Sequence, residues 1–307
     1  MNPDSLKVGV IGAGVFGNYH AGKCAAHPRH DFIGIFDPDH ERVRAAAKRH
    51  GTRAFDNCNT LLSGVDAVIV ASNAVHHGPI AIAALRAGRH VFVEKPIAAN
   101  LESSQTMVRL AKENNLVLQV GHQERFVARA IGLDSAPNKP TKITATRFGP
   151  VSERGTDVSV TLDLMTHDLD MAMWLMGERP QNVEGEAMRV YTDMPDAARA
   201  KLTFKDGATA HFEASRCESG PDRVMRIDYP DGYVRIDFVK KTFEDTTGYG
   251  FNKDFAEHPL AQDSLGAGTS AFTSSILDGT PIAVTGQDGL NALEMALIID
   301  GDYNEIS

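Results

Sequence analysis

Three side chains capable of acid–base chemistry stand in local patterns that suit catalysis: Lys95, Asp163 and His167. Asp163 and His167 are four residues apart within 160–177, a stretch with helical periodicity, so we expect them one turn apart on one side of a helix. A carboxylate there can hold the imidazole in one tautomer and raise its basicity, which prepares a base for removing a hydroxyl proton. The same spacing also suits an Asp–His pair that only braces the helix.

Lys95 follows the apolar run VFV (91–93) in the sequence VFVEKPI. Pro96 has a fixed φ and restricts the residue before it, so the backbone sets the direction of the lysine. Ligands of parallel sheets bind beyond the carboxyl ends of the strands, which places Lys95 at the rim of a ligand pocket. The alternative is a solvated strand end at which Glu94 and Lys95 form an ordinary surface ion pair.

A glycine-rich turn indicates the ligand of the first half. Gly12, Gly14 and Gly17 form GxGxxG between an apolar strand (8–11) and a helical stretch. These glycines allow a tight turn, the approach of a pyrophosphate and close helix packing, and the helix N-terminus faces the phosphates. Asp37 ends the next strand and can bind both ribose hydroxyls, so the pattern predicts NAD rather than NADP. An acid at the start of the following helix is the alternative role for Asp37.

Residues that follow later strands complete the predicted cofactor site. Ser72 and Asn73 come directly after the strand VIVA (68–71), at an end of the sheet where ligands bind. The residues that we expect to bind NAD are Gly12, Gly14, Val15, Phe16, Gly17, Asp37, Ser72, Asn73, His77, Glu94, Lys95 and Gln123.

Apolar runs that alternate with helical stretches predict an α/β Rossmann dinucleotide-binding domain over residues 1–121. Strands that are apolar on both faces are typical of a parallel sheet covered on both sides by helices. The predicted strands are 8–11, 32–37, 52–55, 66–72, 91–94 and 116–121, and the predicted helices include 41–51, 77–90 and 101–115.

Beyond residue 121 the pattern changes to short runs of alternating polar and apolar residues, such as KITATRF (142–148). They predict a C-terminal α+β domain over 122–307 with a large, mostly antiparallel sheet, in which turns at 205–207 and 230–232 close hairpins. One sheet face would meet water or a second subunit. We therefore expect a substrate-binding domain that also assembles a homodimer or homotetramer.

Composition argues against several partners. A net charge of −9 and a pI of about 5.7 disfavour nucleic acid, which needs a concentrated basic surface. Three dispersed cysteines and twelve histidines without an HExxH or CxxC pattern predict no disulfide framework and no metal site. There is no signal-peptide pattern and no apolar run of about 18 residues, so we predict a cytoplasmic protein without a membrane partner.

Several arginines could bind an anionic substrate. Arg125 lies in GHQERF (121–126), with Arg129 one turn further on, and Arg147 and Arg154 precede the helix that carries His167. The planar guanidinium fork suits phosphate oxygens, so this set could hold a pyrophosphate. A set of ordinary surface arginines is the alternative.

In chain order, GxGxxG, Glu-Lys-Pro and Asp-x-x-x-His resemble the glucose–fructose oxidoreductase, inositol dehydrogenase and rhizopine catabolism (Gfo/Idh/MocA) family. The resemblance covers essentially the whole chain, including GTPIAVTGQDGLNALEMA (279–296). It implies NAD-dependent oxidation of a secondary alcohol with Lys95, Asp163 and His167 in the active site. His167 would take the hydroxyl proton, Lys95 would hydrogen-bond the reacting oxygen, and Asp163 would orient His167 or bind a neighbouring hydroxyl.

Two longer strings, GHQERF (121–126) and RxGPxxxRxxDVxVxxDLxxHDxD (147–170), resemble the branch of this family that oxidises the 3-hydroxyl of UDP-N-acetylglucosamine. That branch makes a 3-keto sugar that is later transaminated for lipid A or related glycans. The sequence departs from it at GTDVSV (155–160), where a second glycine is expected. The substrate contacts that we expect come from Lys95, Arg125, Arg147, Arg154, Asp163 and His167.

Other functions remain open from the sequence. A dehydrogenase of a free sugar, inositol or another small polyol would use the same residues. A non-catalytic NAD-binding sensor need not keep Lys95, Asp163 and His167 together, so the intact set counts against it. A glycosidase that oxidises its substrate transiently with tightly held NAD would release product without net NADH.

Overall fold

The computed structural model describes residues 5–150 and 157–301, which fold into two compact units. The chain passes from the first unit to the second after Gln123, and Leu265–Leu290 return to the first unit. The predicted division after residue 121 assigned this return segment to the second domain. The structure therefore corrects the assignment of 265–290.

A parallel sheet lies at the centre of the first unit and confirms the predicted Rossmann architecture. The strands are β1 Leu6–Ile11, β2 His30–Phe36, β3 Arg53–Phe55, β4 Ala67–Val70, β5 His90–Val93 and β6 Leu118–Val120. Helices α1 Val15–Ala26, α2 His40–His50, α3 Cys58–Ser63, α4 Ala74–Arg86 and α5 Leu101–Glu113 alternate with them. Among the described residues the sheet has six strands in the order β3-β2-β1-β4-β5-β6.

The apolar strands are buried as the sequence predicted. Val8 and Ile69 have no exposed surface and Phe92 is 1% exposed, which is the pattern of a parallel sheet covered on both faces. Several element boundaries differ from the prediction by one to four residues, among them both ends of α4, which was predicted over 77–90 and spans Ala74–Arg86. Helix α4 begins at Ala74, three residues before the predicted start, because the chain turns into the helix directly after Asn73.

The return segment joins the first unit through apolar and polar contacts. Helix α9, Ser264–Leu277, places Phe272 edge-on against Phe92, with ring centroids 5.9 Å apart. The side-chain amide of Gln119 donates to the carbonyl oxygen of Gly268 at 2.8 Å. The residues that make these contacts lie far apart in the sequence, so the local sequence pattern did not predict them.

The second unit contains a mixed, mostly antiparallel sheet, as predicted. Its strands are β7 Lys142–Phe148, β8 Asn182–Met188, β9 Ala197–Thr203, β10 Thr209–Ser215, β11 Asp222–Tyr229, β12 Gly232–Asp237 and β13 Thr242–Asp245. In the described part of the chain the order is β13-β12-β11-β7-β10-β9-β8, with β7 and β10 parallel. Both predicted hairpins form, β9 with β10 and β11 with β12.

Side chains alternate across this sheet. In β9, Ala200 and Leu202 are buried, whereas Arg199 and Lys201 are exposed. In β7 the same alternation turns Arg147 to the buried face, where it is 2% exposed. A charged side chain in that position needs a partner of opposite charge.

Helical segments complete the second unit. They are α6 Glu124–Ile131, α7 Thr166–Met176 and α8 Pro259–Gln262, and α10 Gly286–Asp300 contributes its last ten residues. The helix predicted over 160–177 opens instead with a π-helical turn, Thr161–Met165, which runs into α7. The backbone N–H of Thr166 donates to Thr161 O, five residues back.

The described residues contain no helix that is long and apolar enough to cross a membrane.

Candidate active site

The glycine turn has the geometry of a phosphate cradle. Gly12 has a φ of +105°, and a Cβ there would lie 2.5 Å from the carbonyl oxygen of Ala71. A Cβ on Gly17 would lie 2.0 Å from the carbonyl oxygen of Gly12, whereas Gly14 faces open space. No described side chain caps the N-terminus of α1. Its first N–H groups therefore fit a pyrophosphate.

Two predicted cofactor-binding residues lie on the first turn of α1 and are exposed. Val15 is 39% exposed and Phe16 is 50% exposed. The ring of Phe16 packs edge-on against Tyr19 at 6.0 Å. Exposed apolar side chains at a helix start are compatible with a ligand-facing turn, and their contact with NAD stays a prediction.

Asp37 joins the end of β2 to the glycine turn. It is 5% exposed, and its Oδ2 accepts the backbone N–H of Ala13 at 2.7 Å, while Oδ1 accepts that of Asp39 at 2.9 Å. Asp39, not Asp37, caps α2 by accepting from the N–H groups of Glu41 and Arg42. Asp39 therefore has the helix-capping role that was the alternative for Asp37. Asp37 lies against the glycine turn instead.

Glu94 is not the surface partner of Lys95. It is 6% exposed, and its Oε1 lies 2.7 Å from Nε2 of His20 and accepts from the amide of Gln123 at 3.2 Å. Burial alone would raise the pKa of the Glu94 carboxyl. The hydrogen bond from His20 and the positive charge of Lys95 outweigh burial and lower that pKa. Glu94 is therefore a buried carboxylate.

Lys95 is half-buried and lies between two anchored residues. The backbone N–H of Glu94 donates to Val70 O at 2.9 Å, and the Lys95–Pro96 peptide bond is cis. The carbonyl oxygen of Pro96 accepts from Nδ1 of His77 at 2.7 Å. The predicted restriction of this backbone therefore comes from buried side chains as well as from the proline.

His77 lies inside this loop rather than on its surface. It is 2% exposed, and its ring nitrogens face the carbonyl oxygens of Pro96 at 2.7 Å and Ser72 at 3.0 Å. A charged ring would donate to both, but burial is the largest influence and lowers the His77 pKa. The neutral ring donates to one carbonyl. His77 was predicted to bind NAD, and the structure instead commits its ring to the backbone around Lys95.

Ser72 and Asn73 occupy the predicted position between β4 and α4. Asn73 is the residue before the first turn of α4, and its side chain makes no capping hydrogen bond to the helix. The Ser72 hydroxyl donates to Asn73 O at 3.3 Å. Their contact with the cofactor stays a prediction.

Asp163 and His167 lie on the π-helical turn and on the first turn of α7. Both side chains are half-buried. A π-helical turn takes more residues than an α-helical one, and such turns recur at functional sites. Ordinary helical spacing, on which their pairing was predicted, does not hold across residues 161–165.

Buried hydroxyls hold the start of this turn. Ser159 and Thr161 are at most 1% exposed, and both donate to the carboxylate of Asp300 at the end of α10. The bond from Ser159 measures 2.5 Å. Ser159 Oγ also accepts the backbone N–H of Leu162 at 3.2 Å. The last turn of α10 therefore anchors the turn that carries Asp163.

Arg147 anchors α7 through a buried charge cluster. Its guanidinium donates to both carboxylate oxygens of Asp168, at 3.0 and 2.8 Å, and to both of Glu124, at 2.7 Å. Burial raises the pKa of the Asp168 carboxyl. The positive charge and hydrogen bonds of Arg147 oppose this shift, and the negative charge of Glu124 adds to it. The two carboxylates hold the pKa of Arg147 well above its usual range. The arginine therefore stays charged.

Arg125 forms a second buried pair with the same helix. Its Nε and Nη2 donate to Asp170 at 2.8 and 2.6 Å, both side chains are at most 4% exposed, and the guanidinium lies 5.5 Å from the ring of Trp174. Arg125 and Arg147 were predicted to bind a substrate pyrophosphate. The structure corrects both assignments, because their forks bind carboxylates of their own unit. The predicted Arg154 lies outside the described residues.

Three residues that support the candidate side chains were missed from the sequence: His20 in the first unit, and Asp168 and Asp300 in the second. Asp168 had a signal, because the alternation of KITATRF places Arg147 on the buried face, where it requires a carboxylate. His20 and Asp300 had none, since their partners are 74 and 141 residues away. Among the described residues, no group of three His, Cys, Asp or Glu side chains could hold a metal ion.

Two family models match the chain. One, described as an oxidoreductase family with an NAD-binding Rossmann fold (Gfo/Idh/MocA), matches residues 6–122. The other, the Gfo/Idh/MocA C-terminal domain, matches residues 142–235. The two matches correspond to the parallel sheet and to part of the mixed sheet.

Similar proteins include two curated dehydrogenases. UDP-N-acetylglucosamine 3-dehydrogenase of Acidithiobacillus ferrooxidans is 33% identical over 300 residues, which is 95% of each chain. Myo-inositol 2-dehydrogenase of Thermotoga maritima is 28% identical over 313 residues, 94% of this chain and 93% of its own. A solved structure of the Acidithiobacillus ferrooxidans enzyme has a TM-score of 0.88 at 32% identity and covers 98% of both chains.

Proposed function

Because this chain belongs to the Gfo/Idh/MocA family of NAD-dependent oxidoreductases, we propose that it is a sugar dehydrogenase acting on UDP-N-acetylglucosamine. The reaction oxidises the 3-hydroxyl to a 3-keto group and yields NADH. The observation that carries this proposal is the likeness to UDP-N-acetylglucosamine 3-dehydrogenase, which extends over 95% of both chains. A 3-keto sugar can next be transaminated, which suits synthesis of a diamino sugar for lipid A or a related glycan.

The proposed chemistry assigns one role to each candidate residue. His167 takes the proton of the reacting hydroxyl, and Asp163 orients His167 or binds a neighbouring hydroxyl. Lys95 donates a hydrogen bond to the reacting oxygen and stabilises the negative charge that develops there. Gly12, Gly14 and Gly17 would hold the pyrophosphate of NAD, and the bound cofactor would supply the hydride acceptor.

Arg125 and Arg147 bind carboxylates of their own unit, and this weakens one argument for the proposed substrate. These two arginines no longer support a pyrophosphate-binding role, so the case for a UDP-sugar now rests on the similarity to the 3-dehydrogenase. The second candidate is a polyol substrate, which is favoured by the 28% identity to myo-inositol 2-dehydrogenase over 94% of this chain.

Substrate selection is tested by NADH formation in a matched panel of UDP-N-acetylglucosamine, free N-acetylglucosamine, myo-inositol and scyllo-inositol. We expect turnover with the UDP-sugar and little with the others. Turnover with an inositol alone would replace the proposed substrate by a polyol. A thermal-shift series of the same compounds with and without NAD separates binding from turnover.

Replacement of Lys95 tests the catalytic assignment. We expect Lys95→Ala to lower kcat by about 100- to 1,000-fold, because a donor to the developing oxyanion is lost. The Kd of NAD should stay within about threefold, because the phosphate cradle is untouched. The measurement is kcat from NADH formation and Kd from fluorescence titration. Turnover like that of the wild type would remove Lys95 from the active site.

We also propose that the enzyme works in the cytoplasm as a homodimer or homotetramer. The support for a pairing surface is that this face of the mixed sheet presents exposed side chains of both charges, which a second copy of the same face could complement. Glu186 pairs with Arg199, and Glu184 lies 3.9 Å from Lys201. Light scattering with Arg199→Glu and Lys201→Glu tests this role. A monomeric wild type would contradict it.

A further inference from the structure

His20 is a buried titratable residue for which the proposed mechanism has no use. It shares the buried face of α1 with Gly17, Ala21 and Cys24. The side chain has no exposed surface, and its ring packs edge-on against Phe92 at 5.2 Å. A histidine in such apolar surroundings is often no more than a core residue. The position of its Nε2, 2.7 Å from Glu94 Oε1, indicates a more specific role.

The direction of this hydrogen bond follows from its partners. Gln123 donates to the same Oε1 at 3.2 Å, so this carboxylate oxygen acts as an acceptor and Nε2 of His20 carries the proton between them. Nδ1 of His20 is buried and has no hydrogen-bond partner among the described residues. His20 therefore binds the Glu94 carboxylate through Nε2 alone.

The Glu94 carboxylate has little room to move. A Cβ on Gly121 would lie 2.8 Å from its Cδ and from both carboxylate oxygens, so the carboxylate packs directly on the backbone of this glycine. Gln123 donates to the same oxygen as His20. Three elements, α1, β5 and the segment after β6, therefore meet at one carboxylate, which belongs to the residue before Lys95.

We propose that His20 is a positioning residue for Lys95. By donating to Glu94 it holds the residue before the lysine, while His77 holds the carbonyl oxygen of the residue after it. Helix α1 thereby connects the phosphate cradle at its N-terminus with the loop that directs the lysine. The inference rests on the proposed catalytic role of Lys95.

The test uses His20→Phe, which keeps an aromatic ring against Phe92 and removes the donor. We expect kcat to fall by about 100-fold, the scale of a small misplacement at an active site. KM for NAD should change by less than about threefold. His20→Gln restores a donor of similar reach. We expect its kcat to be at least about tenfold higher than that of His20→Phe. A kcat for His20→Phe like that of the wild type, with Lys95→Ala inactive, would overturn the positioning role.

Two further measurements complete the design. Thermal melting and circular dichroism of each variant report on folding. If His20→Phe does not fold, Glu94→Gln takes its place, with an expected loss in kcat and little change in KM for NAD. The control is His27→Phe, at the C-terminal end of the same helix, which should match the wild type.

Nitrogen-15 NMR of labelled histidine, with His20 assigned from the spectrum of His20→Gln, reports the tautomer independently of activity. A proton on Nε2 supports the inference, and a proton on Nδ1 alone overturns it. Full activity of both His20→Phe and Lys95→Ala would instead overturn the catalytic assignment of Lys95, and the positioning role with it.

Discussion

Lys95 is positioned by hydrogen bonds that its two chain neighbours, Glu94 and Pro96, make with other residues. Asp163 and His167 lie instead on a helical segment anchored by buried ion pairs. In the first unit a single carboxylate, Glu94, is bound by two side-chain donors, His20 and Gln123. In the second unit, α7 contributes Asp168 and Asp170 to arginines that are at most 4% exposed.

This difference predicts different consequences of mutation. Removal of one partner of a buried ion pair leaves an uncompensated charge and costs about 3–5 kcal/mol of stability. Loss of one hydrogen bond to a charged group costs about 1.5–3 kcal/mol or less. Changes around α7 should therefore act mainly on folding stability, and changes around Lys95 mainly on turnover.

The largest stability effect is expected for Arg147→Ala. It leaves the buried carboxylate of Asp168 beside the half-buried one of Glu124 without their shared arginine, and we expect the free energy of unfolding to fall by about 3–5 kcal/mol. The measurement is urea denaturation. Arg226→Ala is the control, because Arg226 pairs with Asp228 on a side chain that is 41% exposed, and we expect a loss below about 1 kcal/mol. Equal losses in the two variants would contradict the contrast between the regions.

An intermediate effect is expected for Asp300→Ala. The hydroxyls of Ser159 and Thr161 lose their shared acceptor, so we expect a loss of about 1.5–3 kcal/mol. We also expect a lower kcat, because Asp163 lies on the turn that they hold.

Asp278→Ala is the matched control for Asp300→Ala. Asp278 forms an ion pair with Arg29 at 2.7 Å in which both side chains are at least 32% exposed. We expect little change in stability and none in kcat. A kcat unchanged in Asp300→Ala would show that the π-helical turn keeps its geometry without this carboxylate.

The smallest effects are expected in the pH dependence of stability, where one carboxylate of each unit can be compared. The Asp196 pKa is strongly lowered. Burial opposes this shift, but three backbone N–H groups and the Thr192 hydroxyl outweigh it, and the N–H distances are 2.7–2.9 Å. The Glu94 pKa is also lowered, through His20 and nearby charges.

A carboxyl group whose pKa is lower in the folded protein stabilises the fold. This stabilisation is complete at pH values above the ordinary carboxyl pKa of about 4, and it is lost as the pH falls below that value. We therefore expect Asp196→Asn and Glu94→Gln to flatten the acid side of the stability curve, Asp196→Asn more strongly. Urea midpoints between about pH 5 and pH 3 measure this. A steeper acid dependence in either variant would contradict the assigned sign.

The sequence predicted best where the controlling interactions are local. The strand KITATRF was predicted with the bounds of β7, Lys142–Phe148, because its alternation alone specifies the element. The roles of Arg125 and Arg147 were predicted wrongly, since their partners Asp170 and Asp168 lie 45 and 21 residues away. Exposed and buried arginines look alike in composition, and only packing distinguishes them.

From sequence alone the chain's α/β architecture, its NAD cradle and its family were determined, because glycine conformation, strand burial and short motifs depend on neighbouring residues. Tertiary structure alone decided which charges are buried, which residues hold Lys95, and that a π-helical turn carries Asp163. Those features depend on side chains brought together from distant parts of the chain, where the cost of burying an unpaired charge selects the partner.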